Sequence, residues 1–290
     1  SFEGWDVYQQ KIANGYHHQF MRNMLQRNNG NGTFSDIGQL AGVARTDWSW
    51  SALIADFDLD GLKDVYVTNG LAKDVTSQDY ISSLANQTAA EAVYSGQKVD
   101  FLKLVNAMSS TRISNYMFHN QGDMRFTNVA KLWGLDTPSF SNGAAYGDLD
   151  GDGAIDLVVN NVNMEAFVYR NNARTVHKEN HFLQLSLEGN GGNRFAVGAR
   201  VTVRVGAQQY MQEESPVRGF QSSVEPLLTF GVGTHAQLDS VTVEWPDGRT
   251  SVIRNVATNA RITVKQSEAA TVPAPIVITK QPTLLTDVTS

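Results

Sequence analysis

Two nine-residue stretches carry carboxylates at a spacing that can do chemistry. Asp56-Phe57-Asp58-Leu59-Asp60-Gly61-Leu62-Lys63-Asp64 and Asp148-Leu149-Asp150-Gly151-Asp152-Gly153-Ala154-Ile155-Asp156 both place Asp at positions 1, 3, 5 and 9 and Gly at position 6. Alternate residues of a tight turn can point at one centre, and glycine permits the sharp bend. The position-7 carbonyl, from Leu62 or Ala154, can face the same centre. Four carboxylates converging without a cation repel one another strongly. A hard dication removes that cost, and calcium, which takes about 6–8 oxygens, fits better than magnesium with its strict octahedron. An EF-hand would need Glu at position 12 and flanking helices. Position 12 is Val67 in one copy and Val159 in the other, both inside strand-like runs. The expectation is therefore two strand-loop-strand Ca2+ sites, with ligands Asp56, Asp58, Asp60, Leu62 and Asp64, and Asp148, Asp150, Asp152, Ala154 and Asp156. The plain alternative is an acidic turn capped by its own backbone. Carboxylates so matched to an ion are poor general acids, and no catalytic residue is assigned.

The elements that must hold these loops repeat with them. Asp56 and Asp148 lie 92 residues apart, and the same offset relates Trp48–Ala52 to Phe140–Ala144, Phe34–Ile37 to Phe126–Val129, and Asn28-Asn29-Gly30 to Asn120-Gln121-Gly122. Val168–Asn172 resembles Leu25–Asn29 and reads as a third start. Leu284–Val288 echoes Thr33–Ile37, so the chain is expected to stop just inside another repeat. Ser51–Ala55 enters the first loop and Val65–Thr68 leaves it; Ala144–Tyr146 and Leu157–Val159 do the same in the second. These short apolar and β-branched runs read as strands. A unit of that size cannot bury its face alone, and radial stacking into a propeller is the usual solution. Between Leu71 and Asn115 the repeat is interrupted. There Tyr80, Leu84, Ala89, Ala92 and Val93, then Phe101, Leu102, Val105 and Met108, recur at helical spacing. Two short inserted helices are expected there.

Composition bounds the remaining possibilities. The chain has 290 residues, 23 basic and 29 acidic, for a net charge of −6, which argues against a nucleic-acid footprint. Eight of the 29 acidic residues sit in the two loops. There is no cysteine, so disulfide frameworks, thiolate metal sites and thiol nucleophiles are excluded. No apolar run approaches the ~20 residues of a membrane helix. The chain opens Ser1-Phe2-Glu3-Gly4 with neither methionine nor a signal pattern and reads as an excised or processed piece.

From about Asn180 the texture changes to alternating strands: His181–Leu187, Val197–Val205, Leu238–Trp245, Ser251–Ile253 and Arg261–Val264, with Pro246-Asp247-Gly248 as a hairpin turn. At least five strands at this spacing predict a small sandwich or barrel. Gly231-Val232-Gly233-Thr234-His235-Ala236 satisfies a dinucleotide-type glycine pattern, but a strand follows where a helix would have to open, so nucleotide binding is discounted. His17-His18 and the pair His177 and His181 lack a third metal partner. Arg218, beside Gly219-Phe220, reads as a loop-pinning arginine or a ligand contact. Trp48, in line with Phe140, is read as pointing into the core. Trp50, in line with Asn142, is read as pointing the other way, exposed as a ring on which a glycan could stack.

The two acidic loops, each followed by a strand and preceded by an aromatic-Ser-x-[Ser/Gly]-Ala strand, resemble FG-GAP/VCBS repeats, the blades of integrin-α-type propellers. The resemblance implies calcium held by the same ten positions and a mainly structural role for the ion. Asn193–Ala199, Arg218–Ser223, Phe230–Gly233 and Val243–Gly248 resemble the ASPIC/UnbV module. The combination is similar to cartilage-acidic-protein-type proteins and to large bacterial surface proteins. The expected fold is mainly β: partial propeller blades over 1–176 with a helical insertion at about 71–115, then an ASPIC/UnbV-like β domain over 177–267. Residues 268–290 are expected to form a linker and the start of a further repeat. The resemblance implies a calcium-stabilised binding or adhesion module of an extracellular or cell-surface protein, bacterial outer membrane or secreted. It would meet a protein or glycan ligand, and the rest of its parent chain would complete the propeller. The alternative is part of a polysaccharide-processing lyase or hydrolase at a surface.

Overall fold

The computed structural model describes residues 5–17, 20–74 and 101–270, with positions 77, 80, 90, 94, 96 and 98 between the last two stretches. The described chain is mainly β and divides into two compact units. The first takes residues up to 183 together with 216–225 and 229–234; the second takes 184–215, 226–228 and the described residues from 235 onward.

The first unit is built from antiparallel sheets. After a helix, α1 (Trp5–Ala13), that buries no residue, β1 (Gln26–Asn28) pairs with β2 (Phe34–Asp36). A four-stranded sheet follows in the order β3 (Ser49–Ala55), β4 (Asp64–Asn69), β5 (Tyr116–Asn120), β6 (Phe126–Asn128). A helix, α2 (Phe101–Ala107), precedes β5 inside the insertion. It carries Phe101, Leu102 and Val105 of the expected helical spacing, whereas Leu84, Ala89, Ala92 and Val93 lie outside the described residues. A three-stranded sheet then runs β7 (Ser141–Gly147), β8 (Asp156–Asn161), β9 (Phe167–Tyr169), and a single turn, α3 (Ala173–Val176), closes the stretch. This architecture is that of propeller-type blades.

Strand β4 shows why the sequence folds so. All six of its residues are buried, as befits a strand covered on both faces. Its alternate side chains then serve two cores. Val65 and Val67 pack with Phe118, Ala41 and Val43. Tyr66 points the other way, into a cluster of Leu53, Phe57 and Met117 with Ala144, Leu157 and Val159. The second cluster thus joins the β3–β6 sheet to the β7–β9 sheet.

The 92-residue repeat is visible bond by bond. In both hairpins the register shifts at the same place, between Ser49 and Ala52 and between Ser141 and Ala144. At the open end of each hairpin a serine hydroxyl donates to an asparagine: Ser49 Oγ to Asn69 Oδ1 at 3.3 Å and Ser141 Oγ to Asn161 Oδ1 at 2.7 Å. Asn115 links the two, accepting from the Asn69 backbone N–H at 2.9 Å and donating to Ser141 Oγ at 2.9 Å.

The second unit carries a four-stranded antiparallel sheet, ordered β11 (Gln208–Glu213), β10 (Arg200–Val205), β12 (Gln237–Glu244), β13 (Thr250–Ala257). Val201, Val203, Leu238, Val241, Val243 and Trp245 are buried along it. Pro246-Asp247-Gly248 turns the β12–β13 hairpin, with Gly248 at φ +83° and its N–H donated to the Trp245 carbonyl at 2.9 Å. The expected strands of this module all form.

Trp48 and Trp50 correct the expectation. Residues two apart on a strand share a face, and the two rings sit 6.3 Å apart, both half-buried. Trp50 is not an open platform: its Nε1 donates to the Gly70 carbonyl at 2.6 Å and its ring lies 4.7 Å from that of Phe220.

Ser141→Ala removes a hydroxyl that serves Asn115 and Asn161 in a buried setting. It is expected to destabilise the first unit by about 1–3 kcal/mol, read as a lower urea midpoint with an unchanged m-value.

Candidate metal centre

Each acidic loop spans the tight end of its hairpin, between the paired residues Ala55 and Asp64 in one copy and Gly147 and Asp156 in the other. The turn is built by the aspartates themselves. Gly61 N–H donates to Asp56 Oδ2 at 2.9 Å, and Gly153 N–H to Asp148 Oδ2 at 3.0 Å. Leu62 N–H donates to Asp60 Oδ1 at 2.7 Å, and Ala154 N–H to Asp152 Oδ1 at 2.8 Å. The position-9 carboxylates reach back to the position-2 N–H groups, Asp64 Oδ2 to Phe57 at 3.2 Å and Asp156 Oδ2 to Leu149 at 2.8 Å. Gly61 and Gly153 take φ of +94° and +96°, a region open to glycine.

Asp56 spends one oxygen on the turn and keeps the other, whereas Asp64, Asp148 and Asp156 accept backbone N–H groups at both oxygens. Ligand atoms of Asp56, Asp58 and Asp64 lie within 4.8 Å of one another, as do those of Asp148, Asp150 and Asp156. Each group can hold a metal ion. The first is the more enclosed. Asp56 is only 6 % exposed, and its Oδ1 is buried with no hydrogen-bond partner. Buried polar atoms are normally paired, and this one is placed where a cation could be its partner. Burial, reinforced by the neighbouring charges of Asp60, Asp58 and Asp64, holds the Asp56 carboxyl well above the usual range. Burial likewise pushes Asp64 up to about 7. Asp60 and Asp152 are also raised, each mainly by burial. This is the signature of oxygens placed for a positive charge that side chains do not supply. The residues fit a hard dication.

Neighbouring segments complete the loops, and these the spacing alone did not reveal. Asn120, the last residue of β5, and Asn171, two residues after β9, occupy equivalent places in the repeat. Each donates its N–H to the position-9 aspartate, Asp64 Oδ1 at 2.9 Å and Asp156 Oδ1 at 2.7 Å. Each also donates Nδ2 to the position-8 carbonyl, Lys63 at 3.0 Å and Ile155 at 2.9 Å. The Asn-x-Gly and Arg-Asn-Asn echoes in the repeat were their only trace. Gly231 passes directly over the first loop: a Cβ there would run into Asp56 Oδ2 and meet Leu59 Cα at 2.6 Å. Gly233 N–H donates to the Leu59 carbonyl at 3.0 Å. The paired glycines therefore serve close approach to an acidic loop. At the second loop Glu225 Oε1 accepts the Asp148 N–H at 2.8 Å. Leu59, in the left-handed region at φ +63°, tucks into a cluster with Ala154, Ala173 and Phe182, tying the two loops together.

The remaining candidates fall elsewhere. Arg218 is half-buried beside Gly219, whose missing Cβ lets the chain lie against Ser51 and the Ala144 carbonyl; Phe220 N–H donates to Ser51 Oγ at 2.9 Å. That stretch packs on β3 and β7, and the Arg218 charge is felt by Lys63 in the first acidic loop. Neither His177 nor His181 joins a metal-capable group among the described residues, and His18 lies outside them. His119, which the spacing did not single out, stands against Asp58 and Asp60. A cavity of about 670 Å3 opens beside Asp58, lined by Phe57, Trp133, Leu135, Tyr169 and His177 among others. No helix among the described residues is long and apolar enough to cross a membrane.

Comparison with known proteins agrees with this geometry. The profile of the FG-GAP-like repeat matches residues 12–67 and 99–159, covering both acidic loops, and that of ASPIC and UnbV matches residues 189–271. Cartilage acidic protein 1 of Mus musculus is 27 % identical over 262 residues, covering 81 % of this chain and 39 % of the relative. The Homo sapiens protein of that name is also 27 % identical over 262 residues, covering 81 % of this chain and 38 % of its own. The chain thus spans about two fifths of the length of these curated relatives.

Gly231→Ala is expected to lower stability by about 1–3 kcal/mol, since the Asp56 carboxylate, held by the turn, and the Leu59 backbone both stand in the way; thermal unfolding reads the loss. The protonation of the loops gives a second test. Without divalent cations the folded protein holds the Asp64 proton up to about 7, whereas the unfolded chain releases it near 3.8. Folded protein then binds more protons across that window, so stability is greatest at its acid end and is lost as pH rises through about 7. Melting in chelator is expected at a lower temperature at about pH 8 than at about pH 5.5.

Proposed function

Because this chain carries FG-GAP-like repeats followed by an ASPIC/UnbV domain, we propose that it is a calcium-stabilised, non-catalytic binding module of a larger extracellular or cell-surface protein. The observation that carries this reading is the repeated convergence of carboxylates at the tight end of two equivalent hairpins, buried in the first, where Asp56 Oδ1 is orphaned. Asp56, Asp58, Asp60, the Leu62 carbonyl and Asp64 would hold one ion. Asp148, Asp150, Asp152, the Ala154 carbonyl and Asp156 would hold the other. FG-GAP repeats often bind Ca2+, and the all-oxygen sets fit it. The ion neutralises mutual repulsion and fixes both ends of the loop, so its contribution is to the sheets and not to a reaction. The aspartates support a non-enzymatic role, since each that bonds the backbone is thereby held in the turn.

The domain assignment in this reading is blades over 1–176, an ASPIC/UnbV-like β domain over 177–267, and a linker beyond. Millimolar calcium outside cells suits modest, modular sites. The partner class is a protein or glycan at a surface, with the rest of the parent chain completing the array of blades.

Calcium is expected to raise the melting temperature of the chelator-stripped protein. A site filled to about 100 times its Kd adds about 2.7 kcal/mol. Asp58→Asn combined with Asp150→Asn should abolish that shift while leaving the fold intact by circular dichroism. An unchanged melting curve on adding millimolar calcium to the stripped wild type would sink the proposal.

A further inference from the structure

The two loops are alike in their aspartates and unlike in their neighbours. The β4–β5 register pairs Val65 with Phe118, and the β8–β9 register pairs Leu157 with Tyr169. Val65 and Leu157 are repeat equivalents, so His119 occupies in the first blade the place that Arg170 occupies in the second. The imidazole Nε2 of His119 lies 3.0 Å from Asp58 Oδ2 and 3.8 Å from Asp60 Oδ2. That nitrogen is buried and makes no hydrogen bond. The first loop therefore holds two orphaned polar atoms, Asp56 Oδ1 and His119 Nε2. It also offers two overlapping ligand groups: Asp56, Asp58 and Asp64, all oxygen, and Asp58, Asp60 and His119, two oxygens and a nitrogen. Among the described residues the second loop offers only the oxygen group.

We propose that the first loop, and not the second, is also a site for a first-row transition dication of the zinc type, bound through His119 Nε2, Asp58 and Asp60. Imidazole nitrogen favours zinc over calcium, which takes oxygen ligands. The ring is fixed in place by its neighbours: Trp133 lies 5.5 Å away, centroid to centroid, and Gln121 Nε2 donates to Nδ1 at 2.6 Å, which leaves the ring proton on Nε2. Metal binding at Nε2 moves that proton to Nδ1 and turns the Gln121 amide so that its oxygen accepts it, the arrangement usual for ligating histidines. Asp58 belongs to both groups, so calcium and zinc exclude one another at this loop. The inference rests on the reading of the loops as cation sites and adds to it a difference between them.

The test is calorimetric titration of the stripped protein with zinc and with calcium, each alone and in competition. Wild type is expected to take up one zinc ion and, when calcium-loaded, to release one of two calcium ions to it. His119→Phe keeps a ring against Trp133 but offers no nitrogen; His119→Ala is the smaller control. Both should weaken zinc binding by roughly tenfold or more, on the scale that supporting groups of metal sites carry, and leave calcium stoichiometry at two. Asp150→Asn in the second loop should leave zinc binding unchanged. Zinc affinity equal in wild type and both His119 variants, or zinc lost in Asp150→Asn, would overturn the assignment. Zinc uptake that depends on His119 without any calcium uptake would overturn the calcium reading and leave this one standing.

Discussion

Charge repulsion among carboxylates that have been taken out of water is the constraint on which the first unit depends. Asp56, Asp58 and Asp64 are buried, lie within ligand distance of one another, and spend only part of their hydrogen-bonding capacity on the turn. A chain that folds this way must either keep protons on its aspartates or bring in a counter-charge. The raised Asp56 and Asp64 carboxyls express the first choice and the inward-facing oxygens express the second. Everything around the loops reads as support for that arrangement. Asn120 and Asn171, at the ends of β5 and β9, brace the position-9 aspartates, the serine–asparagine pairs fasten the opposite end of each hairpin, and the Leu59 cluster joins one loop to the other.

Duplication has preserved the scaffold and released its details. Both hairpins keep the register shift, the glycine at position 6 and the four aspartates. The fourth loop position is Gly151 in one copy and Leu59 in the other, both with positive φ. A leucine there costs about 1–2 kcal/mol of backbone strain, and its complete burial offsets this by a similar amount. The second loop is the more open: Asp150 and Asp152 face solvent, whereas Asp58 is buried and Asp60 half-buried. Two sites with one ligand pattern therefore sit in different dielectric surroundings, and the imidazole of His119 widens the difference.

Much of this was legible in the residues. The spacing of the aspartates, the glycine, and the valines at position 12 gave the loop and its flanking strands, and the constant offset gave the repeat. The hairpin turn at Pro246-Asp247-Gly248 carried its own signal in the types of its residues. What was not legible depends on contacts remote in sequence. Glu225 meets Asp148 across 77 residues and Gly231 meets Asp56 across a longer span still, and no local pattern announces either. The use of the Gly231-Val232-Gly233 run, letting backbone pass flat over another loop, requires knowing what lies beneath. The tryptophan pair failed for a simpler reason, a strand period applied with the wrong parity. His119 escaped notice because a lone histidine on a strand has no signature until its neighbours are in place.

The strand through Gly231 covers the first loop closely enough to touch both its opening aspartate and its fourth residue. A cation held there would be covered on that side by backbone, with access left to the side of Asp60 and of the cavity beside Asp58. At the second loop Asp150 and Asp152 face solvent, so an ion held there would be approached from more directions. One duplicated motif would thereby yield two sites that differ in how readily they refill.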